Sequence, residues 1–158
     1  MAVPQILSLL ATIGCGLMGG FFFAFSVVVM RALAKRPAPE AIAAMQTINV
    51  VVLNGWFLGA FFGTAVICLC AVLLAALTWG GQASAWLLAG GLLYLVGTIG
   101  VTMRFNVPRN EALKRAAPTS SDGAALWADY LVTWNAWNHV RALAAILAAA
   151  CFAMARLA

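Results

Sequence analysis

Apolar residues gather in four long runs along this chain, separated by short polar stretches: about Pro4 to Met30, Ile48 to Trp79, Ala83 to Met103 and Val140 to Leu157. A bilayer core about 30 Å thick takes roughly 20 residues of helix at 1.5 Å each. The pattern therefore predicts an all-α fold, an integral membrane four-helix bundle. The last run carries Arg141 near its start. If that span begins earlier, around Trp134, the guanidinium must lie at the interface or face the protein interior, because lipid solvates it poorly. The reading is of one domain over residues 1–158, with spans at about 4–30, 48–79, 83–103 and 134–157. The first run is too long for a signal-peptide core and lacks a basic start, so it is expected to stay in the mature protein.

Two of the helices are expected to begin before the membrane does. Pro39 followed by Glu40 suits a first helical turn, where proline loses nothing and an acid meets the positive helix end. From there helix two is predicted to run unbroken through Asn49 and Asn54 into the bilayer. Pro118 stops any helix from upstream, and Thr119 with Asp122 resembles a capping start, so helix four is predicted from about Ser120 to the C-terminus. Helices two and four are thus longer than the bilayer is thick and extend on one side of it. Asn106-Val107-Pro108-Arg109-Asn110, in the third connection, has the composition of a fixed turn.

Composition sharpens the class: 65% of residues are hydrophobic and 8% charged, with a mean hydropathy of +1.02. A soluble domain averages about 25% charged residues, so this chain has too few to clothe a surface in water. That excludes a nucleic-acid module, a disordered tail and a disulfide-stapled secreted domain. The net charge of +5 follows from topology signals instead. Seven of the nine basic residues fall in two connections, Arg31, Lys35 and Arg36 after the first span and Arg104, Arg109, Lys114 and Arg115 after the third. The positive-inside rule places loops 31–39 and 104–120 in the cytoplasm and both termini outside, in what would be a bacterial inner membrane.

Spans one and three are rich in glycine, which lets helix backbones approach closely in lipid and also leaves homo-oligomer contacts open. Cys15, Cys68, Cys70 and Cys151 all lie in apolar runs and read as small packing residues. One histidine and four acids give no three- or four-ligand metal site. No metal or other cofactor is expected, although a single axial histidine leaves haem through His139 open.

Polar residues collect at the mouth of helix four, in Trp134-Asn135-Ala136-Trp137-Asn138-His139-Val140-Arg141. At 100° per residue, Tyr130, Trp134, Trp137, Asn138 and Arg141 share one broad face, and Asn135 and His139 stack on a neighbouring one. Such a cluster at membrane depth marks a functional site by default. An interfacial aromatic belt accounts for the tryptophans but not for the asparagines and histidine between them. On helix two, Met45, Asn49, Leu53 and Trp56 form a matching surface, with Asn54 pointing elsewhere.

These residues resemble the anthrone oxygenase family of small four-helix membrane proteins. The resemblance is carried by FFFAFSVVVMRAL at Phe21 to Leu33, MQTINVVVLNGWF at Met45 to Phe57, NVPRNEAL at Asn106 to Leu113 and WADYLVTWNAWNHVR at Trp127 to Arg141. It implies a membrane oxygenase or oxidase of a hydrophobic aromatic molecule, anthrone- or quinol-like, with O2 as co-substrate and the bilayer as surroundings. Under that reading His139 is the general base, Asn135 orients it, and Arg141 and Asn138 stabilise an enolate-like oxyanion. Asn49, Trp56, Asn106, Asn110, Tyr130, Trp134, Asn135 and Trp137 then line the substrate site. A non-catalytic module that binds a lipid, quinone or haem is the alternative, and a transporter a third.

Overall fold

The computed structural model describes residues 3–78 and 80–158. Trp79, the expected end of the second span, lies outside them. Four helices are long and apolar enough to cross a membrane: α1 (Val3–Leu33), α3 (Gly55–Leu77), α4 (Gly81–Arg115) and α5 (Ser121–Ala155). A shorter helix, α2 (Ala38–Val51), precedes α3. No strand occurs among the described residues. In the ring order α1, α3, α4, α5 each long helix packs on two neighbours, and the α4–α5 contact is the most extensive, followed by α1–α5.

The bundle interior is built from small side chains, while large aliphatic ones face out. Ala11, Cys15, Cys68, Ala71, Ala75, Ala145 and Ala148 are buried, whereas Ile13, Leu17, Val66, Leu69 and Leu73 are exposed. Water would penalise that distribution, but lipid does not, and small interior residues let the helices close on one another. Gly97 shows the tolerance. A Cβ there would stand 2.6 Å from the Ala144 Cβ of α5. Cys15 and Cys68 face each other with their sulfurs 3.7 Å apart. Cys70, expected to pack, is exposed.

A second core sits beyond this one, where α2 covers the first half of α5. It joins Met30, Ile42, Met45, Leu113, Trp127, Tyr130 and Trp134. Gln46 of α2 donates from Nε2 to the carbonyls of Leu113 and Ala116, at 2.9 and 3.0 Å, and so closes the C-terminal end of α4. Both basic segments therefore lie at this end of the bundle. Among the described residues the one ion pair is here too, between Arg36 and Glu40 at 2.9 Å.

Three sequence expectations about elements need correction. Helix two is not continuous: it breaks after Val51 and restarts at Gly55. Asn54 makes the break, accepting on Oδ1 from the Trp56 and Phe57 amides at 3.0 Å each while its Nδ2 donates to the Val51 carbonyl at 2.9 Å. One side chain thus ends α2 and caps α3. The stretch Asn106 to Asn110 is helical, not a turn, so residues 104–120 are mostly helix. A wide, π-type turn at Thr102–Asn106 precedes Pro108, and Arg109 Nη1 donates to the Phe105 carbonyl at 2.9 Å. Those two features absorb a proline that would otherwise disrupt the helix. The cap of α5 is Ser120 rather than Thr119, its hydroxyl accepting from Gly123 N at 3.0 Å.

Candidate functional site

The two cores do not close completely on each other. Between them lies a cavity of about 220 Å³, walled by Phe22 and Phe61 from the first core and Met45 and Trp134 from the second. That is many times the roughly 10–15 Å³ a single water requires. Phe21, Phe25 and Phe57 add to an aromatic wall, and Val52 and Leu53 of the α2–α3 elbow close one side. Its polar residues are few: Asn49, Thr102, Asn110 and Arg141. Phe25 and Thr102 belong to wide turns, at Phe25–Val29 in α1 and Thr102–Asn106 in α4. A widened turn re-aims side chains, and such turns recur at functional sites.

Arg141 is the charged member. It is buried, 8% exposed. Its Nε donates to Asn138 Oδ1 at 2.8 Å and its Nη1 to Thr102 Oγ1 at 3.2 Å. The guanidinium carbon stands 4.1 Å from the Phe22 ring centre and 5.1 Å from that of Trp134, in reach of both π faces. Asn138 stands behind it, fully buried, donating from Nδ2 to the Phe22 carbonyl at 2.8 Å and to the Ser26 hydroxyl. Thr98 donates to the Arg141 carbonyl at 3.2 Å. The arginine is thus held from α1, α4 and its own helix at once.

Asn110 is fixed with equal care. Its Oδ1 accepts from the Tyr130 hydroxyl and from Trp134 Nε1, each at 2.7 Å. Two donors on one oxygen settle which way the amide faces. Trp127, Tyr130 and Trp134 stack in sequence, ring centres 5.6 and 5.5 Å apart, which orders both donors. Asn49 Nδ2 is buried without a partner. A second recess, lined by Gln46, Glu111 and Lys114, shares Asn49 and Asn110 with the cavity.

The structure brings together only part of the site expected from sequence. Arg141, Trp134, Asn49 and Asn110 line the cavity. Asn138 and Tyr130 stand behind it and hold Arg141 and Asn110. His139 does not join them: it is exposed, with no hydrogen-bond partner, outside the cavity wall. The rotation of 100° between Asn138 and its neighbour turns one inward and the other out. A base at His139 therefore cannot reach a molecule lying against Arg141 without rearrangement, and a haem ligated there would sit on the outside of the bundle.

Trp56 is 92% exposed at the start of α3, in the position of an interfacial anchor. Trp137 stacks on Phe105 at 3.7 Å, away from the cavity. Asn106 donates to the Trp134 carbonyl at 3.1 Å and braces that helix. Asn135 is half-buried, its Oδ1 unpaired, and it too lies outside the cavity wall. Sequence reasoning missed the phenylalanine wall. The spacing of Phe21 with Phe25, and of Phe57 with Phe61, puts each pair on one helix face and was a usable signal.

A model of the anthrone oxygenase family matches residues 56–151. The chain belongs to the anthrone oxygenase family. The matched segment includes α3, α4 and most of α5, hence Arg141, Asn110, Trp134 and the Phe57–Phe61 wall, while α1 and α2 lie before it. No curated protein and no solved structure matches the chain. Family membership and four apolar helices make this a membrane protein of an oxygenase-type family.

Proposed function

We propose that the chain is a membrane oxygenase of a reduced, hydrophobic aromatic molecule, anthrone- or quinol-like, with O2 as co-substrate. The observation that carries the reading is the cavity itself, mostly apolar and aromatic, with a buried arginine braced in its wall beside three uncharged polar residues, Asn49, Thr102 and Asn110. For an anthrone the balance is a ring methylene plus O2 giving a ring carbonyl plus water. The methylene loses a proton, the resulting enolate gives an electron to O2, the radical pair joins in a carbon–oxygen bond, and the peroxide takes a proton back to give a hydroperoxide that sheds water. The enolate electron pair sits largely on oxygen, where Arg141 and Asn110 offer fixed donors in a medium of low dielectric. The cavity wall holds no side-chain carboxylate or histidine, so the proton leaves toward the shared recess, whose lining includes the carboxylate of Glu111.

In this reading His139 takes no part in the reaction. The basic end, with α2 and the first turns of α5, faces the cytoplasm of a bacterial inner membrane, and the hydrophobic substrate enters from lipid. The test is oxygen uptake by detergent-purified protein given an anthrone. Wild type and His139→Ala are expected to consume oxygen alike and Arg141→Gln to be strongly impaired. The absence of a wall base favours one other reading, a module that binds a quinone-like ligand without turnover. Retention of the anthrone with no oxygen uptake would select it.

A further inference from the structure

Arg141 has no counter-charge. Its neighbours are an amide oxygen, a hydroxyl and two aromatic faces, all neutral, and among the described residues the one ion pair lies elsewhere, between Arg36 and Glu40. A buried guanidinium without an anion is costly in protein and more so at membrane depth. Its Nη2 makes no hydrogen bond among the described residues. Neither does Asn110 Nδ2, the end of that amide left over once Oδ1 has taken its two donors. Asn49 Nδ2, buried and unpaired, is a third donor at the same wall. Thr102 adds no further donor, since its hydroxyl hydrogen is spent on the Thr98 carbonyl. One positive charge and three unspent donors therefore face an apolar space.

We propose that the cavity holds its ligand as an aromatic monoanion, a phenolate or an aromatic carboxylate, whose oxygen is the missing partner of Arg141. The inference rests on reading this cavity as the substrate site and says which ionisation state that site selects before any chemistry. Phe21, Phe22, Phe25, Phe57 and Trp134 offer flat faces to a ring system. A fatty-acid carboxylate has the same charge, but its flexible chain loses rotamer freedom on entry and gains no stacking. A hydroxylated substrate held this way is already electron-rich when O2 reaches it.

The experiment uses the full chain in detergent with 2-naphthol, which changes its absorption spectrum on ionising. The apparent pKa of the bound probe is expected to fall by at least about one unit, a tenfold shift toward naphtholate, relative to protein-free micelles. Arg141→Lys is expected to keep the shift and Arg141→Gln to lose it. Competition in the wild type makes the test independent of how those variants fold. There 1-naphthoate is expected to displace the probe at a concentration at least about tenfold below that needed for methyl 1-naphthoate or laurate, the difference that one well-placed charge confers. Equal competition by the methyl ester would overturn the anionic part, and equal competition by laurate the aromatic part. Oxygen uptake keeps the two proposals apart. Naphthoate that binds tightly to a protein unable to oxidise an anthrone sinks the oxygenase and leaves this inference standing. Anthrone oxidation that naphthoate fails to inhibit does the reverse.

Discussion

Replacing Asn138 by leucine, which keeps the volume and removes every polar contact, tests whether this one amide locks the site. Asn138 is fully buried and joins the Phe22 carbonyl and Ser26 hydroxyl of α1 to Arg141 Nε of its own helix. Interhelical hydrogen bonds in membranes average about 0.6 kcal/mol each, because the separated helices find other partners, so the two bonds to α1 amount to roughly 1 kcal/mol. Leaving a charged donor, Arg141 Nε, buried and unpaired adds about 1–3 kcal/mol. Together Asn138→Leu is expected to cost about 2–4 kcal/mol. Reversible unfolding by SDS in mixed micelles measures it. Ser26→Ala is the control and should cost under about 1 kcal/mol, since the Phe22 carbonyl still receives Asn138. A loss below about 1 kcal/mol for Asn138→Leu would show that Arg141 is held by something else, and the account of the braced arginine would be wrong.

Other substitutions separate the roles assigned here. His139→Ala should leave anthrone-dependent oxygen uptake within about twofold, whereas loss of a true general base costs about a hundredfold or more. Trp134→Phe keeps the ring but removes the Nε1 donor to Asn110, so it should weaken naphthoate binding several-fold in a fluorescence titration with little change in melting temperature. Gly97→Ala pushes a methyl group against Ala144 and should destabilise by about 1–3 kcal/mol. Gly16→Ala meets nothing within 4 Å and should be neutral or mildly stabilising in the same thermal melt. Asn54→Ala removes the cap of α3 and should cost about 1 kcal/mol, read in the same SDS titration.

The long helices were legible because lipid leaves a one-dimensional trace, a run of apolar residues of the required length. The start of α5 was legible to within one residue because Pro118 and a hydroxyl cap act locally. The elbow at Asn54 was not. It is flanked by Val50-Val51-Val52-Leu53 and Gly55-Trp56-Phe57, so hydropathy runs through it unbroken. What ends the helix is a side chain bonding to its own backbone, which any isolated asparagine in a span also has the means to do. The proline at 108 misled in the opposite direction. It reads as a turn, but a widened turn upstream lets the helix pass through it.

The site divides along the same line between local and long-range information. A helical wheel puts Tyr130, Trp134, Trp137, Asn138 and Arg141 of α5 on one broad face and Asn135 and His139 on the next; the structure turns Tyr130, Trp134, Asn138 and Arg141 inward and His139 outward, while Trp137 stacks on Phe105 away from the cavity. The chemistry of His139 singles it out in the sequence, but its outward direction keeps it from the cavity wall. What sequence had no means to supply was the opposite wall. Phe22 and Ser26 are more than 110 positions from Asn138, and only the ring order of helices brings them within hydrogen-bonding distance. Asn110 makes the same point from the other side. As one asparagine in a basic connection it reads as part of a fixed turn. It cross-links helices instead, to Tyr130 and Trp134, and because both bonds fall on its oxygen the same act leaves its amide hydrogens free beside the cavity. A structural residue and a ligand-facing one are here a single side chain, so a loss of stability and a loss of binding on its removal would be two readings of one cause.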